Sequence, residues 1–298
     1  MNKLLFLGLI LFMFSCKSET KSINNSTVIK VEQYDDGSEN AEVVEYSYKE
    51  TLPAYTFPEV KNVDETKSTV FSATLESDLD KKKNVVYAAS LLMAWDEIET
   101  TIGGKLYDFG SPELERMYNS TTHQNVLLPN EYNTSVEIVG DIITANAEFK
   151  KALPFKFPLT KHSEKLKFEK DIVSSFGFKG KSGMAYIVYY NNDNDFCIAI
   201  NPKDSHHLIY LMKSEKYEKT FKDNFDKIAE KREKQKESEV KKWKLSYDYK
   251  DVTEIPIIEF NLENYFDDIE NTLFYKSSLD TFKVLKAWQR NAFILNEK

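Results

Sequence analysis

Histidine side chains are common metal ligands, and this sequence holds four of them, at positions 123, 162, 206 and 207. No two are four residues apart, the spacing that places a pair of ligands on one face of a helix, and no HExxH motif is present. His206 and His207 are adjacent, so a strand would point them to opposite sides. The spacing therefore predicts no metal site.

Two short motifs suggest other ligands but fail on their spacing. Gly180-Lys181-Ser182 ends like a phosphate-binding loop, but Ser175 stands where the first glycine is required, and a β-rich run follows in place of a helix. The run NNDND (residues 191–195) alternates like calcium ligands. Phe196, however, replaces the glycine that the loop needs, and Pro202 replaces its bidentate glutamate. A plain hairpin turn is the favoured interpretation of this run.

Cys197 lies in the apolar run FCIAIN (residues 196–201), which is typical of a buried strand. We therefore expect an inert core thiol and not a nucleophile. No GxSxG motif is present. The sequence predicts no catalytic residue and no cofactor, and we expect that the protein is not an enzyme.

The first residues have the layout of an export signal. Leu4 to Phe14 (LLFLGLILFMF) is apolar, follows the single charge of Lys3, and is too short to span a bilayer. Met13-Phe14-Ser15-Cys16 resembles the lipobox of bacterial lipoproteins, in which the cysteine is acylated, with palmitate among its chains, and becomes the new N-terminus. The resemblance implies that residues 1–15 are a signal peptide and that Cys16 is the lipidation site. An ordinary secretory signal with an incidental cysteine is the alternative.

Several acyl chains on one residue anchor a protein firmly. We therefore expect a cell-envelope protein, tethered to the outer membrane by lipid. Once Lys3 is removed, the formal charge falls from −8 to −9. This balance argues against nucleic acid as a partner, and against general electrostatic adhesion to anionic lipid. With Cys16 acylated, Cys197 has no partner for an intrachain disulfide.

The signal's 15 residues, taken from 298, leave 283, enough for one large domain or two small ones. We divide them into a polar spacer, residues 16–68, and a globular domain, residues 69–298. Within the spacer, Thr27 to Val31 and Ala41 to Tyr48 alternate like strands, with the turn signal Asp36-Gly37 between them. A spacer and a hairpin are both compatible with this pattern.

Three helices are predicted in the globular part. Asn84 to Ile102 is strongly apolar, should be buried almost all round, and ends at Gly103-Gly104. A short helix through Tyr118 follows the cap-like Ser111-Pro112-Glu113. Ser214 to Lys244 reads as a long helix with a core stripe and then a charged, solvated end.

Strand patterns fill most of the remaining chain, and a return to helical spacing follows at Tyr265 to Phe274. The predicted strands are Val136 to Val139, Ile142 to Phe149, the hairpin Met184 to Tyr190 with Phe196 to Asn201, His207 to Met212, and Ile258 to Leu262. This mixture predicts an α+β fold with mostly antiparallel sheets and packed helices.

Four of these segments resemble, in order, the segments of a serpin. They are NVVYAASLLMAW (residues 84–95), without the usual Ser-Pro; ITANAEFKKALPFKF (143–157), followed by Thr160; IPIIEFNL (255–262); and AWQRNAFILNEK (287–298), which is similar to the strand that leads into the reactive-loop hinge. The resemblance implies a serpin-like domain with a large central sheet that contains the final strand.

Serpins inhibit proteases with a bait loop that, once cut, inserts into a sheet as a strand. The sequence stops at Lys298, where the hinge of that loop would begin. We therefore expect a non-inhibitory domain that binds an unknown protein or glycan. The alternative is a carbohydrate- or nutrient-binding lipoprotein, since the 17 Tyr and 20 Phe residues include rings that could line a ligand site.

Overall fold

The computed structural model describes residues 25–34, 56–124, 126–127, 131–149, 151–168, 171–179, 183, 185–203, 207–238 and 245–297. The signal peptide (1–15), the lipidation site Cys16, the segment 41–48, the motif 180–182 and His206 lie outside this part of the chain.

The described residues form four helices and seventeen strands. The helices are α1 (Val63–Thr66), α2 (Ser90–Ile102), α3 (Pro112–Asn119) and α4 (Phe221–Glu237). The strands are β1 (Asn25–Tyr34), β2 (Lys61–Asn62), β3 (Thr69–Ser72), β4 (Asn84–Tyr87), β5 (Tyr132–Val139), β6 (Ile142–Phe149), β7 (Thr160–Lys161), β8 (Leu166–Phe168), β9 (Asp171–Val173), β10 (Ser175–Lys179), β11 (Ala185–Asn192), β12 (Asp195–Ile200), β13 (Ile209–Lys213), β14 (Val252–Pro256), β15 (Ile258–Tyr265), β16 (Leu273–Tyr275) and β17 (Thr281–Leu295).

The largest element is a seven-stranded sheet, which we call the main sheet. Its order is β2-β15-β17-β1-β6-β5, with β16 pairing β17 at one end. Only two described strand pairs, β2–β15 and β3–β4, are parallel. The predicted α+β class with mostly antiparallel sheets is therefore confirmed.

The first strand lies in the middle of the main sheet. β1 pairs antiparallel with β17 on one side and with β6 on the other. The strand predicted at Thr27 to Val31 is thus present, but its described partners are not the second arm of a hairpin. Asn25–Tyr34 and α1 are built into the fold, although both fall within the stretch 16–68 that the sequence assigned to a spacer.

One face of the main sheet packs on α2 and forms the largest core. Ile29 and Val31 of β1 are fully buried there, together with Trp95 of α2. The Trp95 ring meets Phe274 of β16 edge-on, with 5.3 Å between ring centroids. Because successive strand residues point to opposite faces, Lys30, which lies between Ile29 and Val31, points away from α2.

The helix expected over Asn84 to Ile102 is shorter than predicted. Asn84–Tyr87 is the strand β4, which pairs with β3, and α2 begins only at Ser90. The two consecutive valines of β4 prefer a strand, and the tertiary pairing with β3 completes its hydrogen bonds. The end of the helix is confirmed, since Gly103 caps it at a φ of 67°.

Apart from the β3–β4 pair, the remaining described strands form a smaller unit, which we call the hairpin module (residues 151–256). It contains the sheets β14-β10-β7 and β11-β12-β13 and the hairpin β8–β9. The hairpin predicted around residues 191–195 is confirmed as β11–β12. The helix expected from Ser214 starts later, because the Thr220 side chain caps α4 by accepting from the Asp223 N–H group at 3.0 Å.

Two further predictions have opposite outcomes. The helix after Ser111 is confirmed, because the Ser111 hydroxyl accepts from the Leu114 N–H group at 3.0 Å. The helical interpretation of Tyr265 to Phe274 is wrong. Phe266 and Ile269 are both buried, and they lie in a tight turn in which the Ile269 N–H group donates a hydrogen bond to the Phe266 carbonyl. The strand β16 follows this turn. Apolar residues three apart fit such a turn as well as a helix.

Candidate functional site

The histidine most like a catalytic group is His123, which is buried beside α2. Its Nε2 atom lies 2.5 Å from the Asp96 carboxylate. Asp96 also affects Glu99 on the same helix. The pKa of Glu99 is raised to about 7, mainly because its carboxyl group is buried and also because the negative charge of Asp96 is near. Nδ1 of His123 has no hydrogen-bond partner among the described residues, so no described nucleophile is bonded to this ring.

His162 and Ser175 are brought together but do not form a catalytic triad. The Ser175 hydroxyl lies 3.3 Å from Nδ1 of His162, and the Glu254 carboxylate lies 3.4 Å from the same nitrogen. A triad needs the nucleophile and the orienting acid on different ring nitrogens. Ser175 is also fully buried, which keeps a substrate away from its hydroxyl.

His207 belongs to a buried ionic cluster between the main sheet and the hairpin module. Its Nε2 atom lies 3.5 Å from the carboxylate of Glu131, which also accepts a hydrogen bond from the Lys151 ammonium. All three side chains are almost inaccessible to solvent. A buried pair of this kind fixes the positions of the segments that carry it, and removal of one partner leaves an uncompensated charge.

The other sequence candidates have structural roles. Cys197 is fully buried, and burial raises the pKa of its thiol, so it is a core residue as the strand pattern predicted. Both carboxylate oxygens of Asp195, in the rejected calcium motif, accept hydrogen bonds from the Lys231 ammonium, at 2.6 and 2.7 Å, which attaches the β11–β12 turn to α4. Within the described ranges, no cluster of three or more His, Cys, Asp or Glu side chains could hold a metal ion.

The centre of the main sheet is the feature with the clearest functional meaning. Val28 of β1 pairs with Trp288 of β17 and with Asn146 of β6, so β1 forms a continuous ladder to both neighbours. β17 is the last strand of the chain, and its other side pairs with β15. Among the described strands, the position beside the last one, β17, is therefore filled by the first one, β1.

The face of the main sheet that points away from α2 forms a second candidate site, which we call the outer face. Trp288 and Tyr265 are direct cross-strand partners on it, and Tyr265 is 41% exposed. Asn146 and Ser135 are partners in the same row, on β6 and β5. The row thus carries aromatic rings at one end and an amide and a hydroxyl at the other.

Cations surround this row on the central strands. Lys30 and Lys286 are direct partners across β1 and β17, and the Lys286 ammonium lies 5.4 Å from the centroid of the Tyr265 ring. The Arg290 guanidinium donates to the Asn261 side chain at 3.0 Å. The outer face can therefore stack a flat ligand and donate hydrogen bonds to it.

Comparison with models of known protein families finds no match for this chain, and no curated protein matches it either.

Sequence reasoning did not identify the outer face. Its members lie on strands far apart in the chain, from residue 30 to residue 290, and their alternation with core residues marks each as outward-facing but does not show which strands are neighbours. The polar residues at alternate positions of β6, Thr144 and Asn146, were the available signal.

Proposed function

We propose that this protein is an exported lipoprotein, held at the outer membrane by acyl chains on Cys16, with a non-catalytic, serpin-like binding domain that does not inhibit proteases. The anchor is supported by the apolar run that ends at Ser15-Cys16. The described residues contain no helix that is long and apolar enough to cross a membrane.

The serpin-like part of the proposal is supported by the order of strands. A domain of that kind needs a large central sheet with the final strand inside it, and β17 lies between β15 and β1 in a seven-stranded sheet. The histidine and cysteine geometry supports the non-catalytic part, since neither His123 nor His162 is arranged with an accessible nucleophile.

The observation that carries the non-inhibitory part is the position of β1. A bait-loop inhibitor must add a strand to its sheet beside the strand that leads into the loop. Here β1 already makes antiparallel ladders with both β17 and β6. A new strand could enter beside β17 only after the nine residues of β1 that pair with β17 had left it. Opening the sheet at that point would expose the buried Ile29 and Val31.

The inhibitor question is tested by incubating the mature protein with a panel of serine and cysteine proteases. We expect cleavage or no reaction, and no complex that survives SDS. An SDS-stable complex with any of these proteases would overturn the non-inhibitory proposal.

The anchor is tested separately with labelled palmitate in cells that express the full chain. We expect label on the wild-type protein and on Cys197→Ala, and none on Cys16→Ala, which should also leave the outer-membrane fraction. Cys197→Ala is the matched control because it removes the other cysteine. Equal labelling of Cys16→Ala would contradict the anchor.

The alternative function, carbohydrate binding, is favoured by one observation. Trp288 and Tyr265 are direct cross-strand partners on the outer face, in the same row as Asn146 and Ser135, and sugars bind to aromatic faces flanked by hydrogen-bonding groups. A glycan array followed by calorimetry tests it. We expect Trp288→Ala to abolish binding, and Tyr249→Ala to leave it intact, because Tyr249 is exposed but lies in the hairpin module. Failure of the wild-type protein to bind any glycan would exclude this function.

A further inference from the structure

One stretch of this acidic chain carries a net positive charge. Residues 151–182 contain eight lysines and three acidic residues, a formal charge of +5 in a chain whose total is −8. The rest of the sequence therefore carries −13. The three acids lie within residues 164–171, which are neutral as a whole, so the surplus of lysines flanks that segment. Charges more than about 10 Å from a surface are largely screened in physiological salt, so the local charge decides what this stretch attracts.

The hairpin β8–β9 in this stretch has a cationic face with an apolar residue in it. Lys167 and Ile172 are direct cross-strand partners, so their side chains lie on the same face. Lys165 points the same way, because its ammonium donates to the hydroxyl of Ser174, two residues after Ile172, at 2.7 Å. Ile172 is 74% exposed. We call this surface the lysine hairpin face.

An exposed isoleucine between lysines is unfavourable in water but suits a membrane surface. An apolar side chain gains free energy when it enters the interface, while lysines keep their ammonium groups among the headgroups. The same stretch carries a second combination of this type, since Phe157 is 41% exposed and the Lys156 ammonium lies 5.8 Å from its ring centroid. The phosphates of a nucleic acid would also attract the lysines, but they provide no apolar surface for Ile172 to contact.

The length of the N-terminal tether places this stretch near the membrane. Eight residues lie between Cys16 and Asn25, the first residue of β1, and the nine Cα-to-Cα steps from one to the other span at most about 30 Å. Asn25 pairs with Phe149, at the end of β6 from which the chain continues into residues 151–182. Six residues further on, Phe155 packs on Phe176 of β10, with 5.9 Å between ring centroids. The tether thus enters the body where the hairpin module begins.

We propose that the lysine hairpin face docks on an anionic membrane surface, with Ile172 in the interface and Lys165 and Lys167 against acidic headgroups. The geometry of the tether in this inference rests on the lipid anchor of the proposed function, but the charge and the exposed isoleucine do not. Docking would fix which side of the body faces the membrane and leave the outer face of the main sheet to other partners.

The experiment uses the acylated full-length mature protein in two sets of vesicles, phosphatidylcholine alone and phosphatidylcholine with an equal part of phosphatidylglycerol. A polarity-sensitive dye on Ile172→Cys reports insertion, and Cys197 does not compete for the dye because it is buried. We expect a blue shift only in the anionic vesicles, reversed by high salt. A dye on Leu279→Cys, which is 88% exposed beside β17, should not shift.

Charge removal provides the second arm. Each lysine near an anionic surface contributes roughly fivefold to docking, so Lys165→Gln with Lys167→Gln should weaken it about 25-fold. Lys234→Gln with Lys236→Gln removes the same charge from the exposed end of α4 and should change docking less than twofold.

The outcomes separate docking from anchoring. Vesicle-bound protein whose residue 172 dye stays in water in anionic vesicles overturns the docking proposal and leaves the anchor intact. If no acylated protein is obtained, the anchor fails. The unacylated protein should then still sediment with anionic vesicles and not with neutral ones, and loss of that binding in Lys165→Gln with Lys167→Gln supports docking. Equal sedimentation with both kinds of vesicle overturns it.

Discussion

The main sheet and the β11-β12-β13 sheet of the hairpin module are built from the same kind of strand but assembled in opposite ways. In the main sheet, β1 at residues 25–34 pairs with β17 at residues 281–295, so its centre joins the two ends of the chain. In the hairpin module, β11, β12 and β13 follow one another and pair in that order. The first arrangement depends on long-range closure and the second on local turns, so the two regions should differ in stability and in how well a sequence predicts them.

The largest expected effect comes from a charge in the centre of the main sheet. Ile29→Asp places a carboxylate at a fully buried position, and we expect a loss of more than about 4 kcal/mol of unfolding free energy because no partner is present there. Hydrogen exchange should show that the main sheet has lost protection while β11–β13 keep theirs.

The matched control for this variant is Lys30→Gln, one residue along the same strand and on the outer face. It should cost less than about 1 kcal/mol, since surface changes are usually small. Uniform loss of protection in both regions after Ile29→Asp would show that they unfold together and would contradict the expected difference in their stability.

A second substitution addresses the hairpin module by itself. A Cβ atom added at Gly177 in β10 would lie 1.9 Å from the Thr253 carbonyl oxygen of β14, so Gly177→Ala must push the two strands apart. We expect a loss of about 3 kcal/mol, measured by urea unfolding. Gly183→Ala is the control, because its nearest contact is a Phe157 ring atom at 3.9 Å. Equal effects of the two variants would contradict the close approach of β10 and β14.

A smaller effect is expected at the start of α4. Thr220→Ala removes the hydroxyl that accepts from the Asp223 N–H group, and loss of such a cap costs about 1 kcal/mol. Thr220→Ser keeps the acceptor and should keep most of the stability. If thermal unfolding shows the same loss for both variants, the cap is not what begins this helix.

The smallest effect concerns a carboxyl group behind the main sheet. The pKa of Glu99 rises from 4.5 to about 7, so between these values the folded protein holds a proton that the unfolded chain has lost. The free energy of unfolding should therefore fall as pH rises through this window. Glu99→Gln should remove that slope and gain less than about 1 kcal/mol at pH 8, because partial exposure reduces the effect.

The control for the pH experiment is Glu115→Gln, on the exposed side of α3. It should leave the difference in stability between pH 4 and pH 8 unchanged. The same flattening in both variants would show that Glu99 is not the group responsible.

The sequence predicted elements well where their signals are local. The cap at Ser111, the end of α2 at Gly103 and the β11–β12 hairpin all depend on residues within a few positions of each other, and all are confirmed. The buried Cys197 follows from the apolar run around it. These features need no knowledge of the rest of the fold, because a helix or a tight hairpin makes its own hydrogen bonds.

The errors fall where a partner decides the conformation. The local pattern of Asn84–Tyr87 predicts the first turn of a helix, but pairing with β3 makes it a strand. The pattern after Tyr265 also predicts a helix, but Phe266 and Ile269 lie in a turn that packs into the core. The outer face could not be predicted at all, because it exists only where β5, β6, β1, β17 and β15 lie side by side.

The sequence by itself determined the class of the fold, the positions of fewer than half of the described strands and the cap of α3. Only the tertiary structure decided that β1 lies between β17 and β6. The physical reason is that alternation along a strand specifies the face that each side chain takes, whereas the backbone N–H and C=O groups at its edges are chemically alike in every strand and do not specify a neighbour. Packing of the whole core against α2 makes that choice.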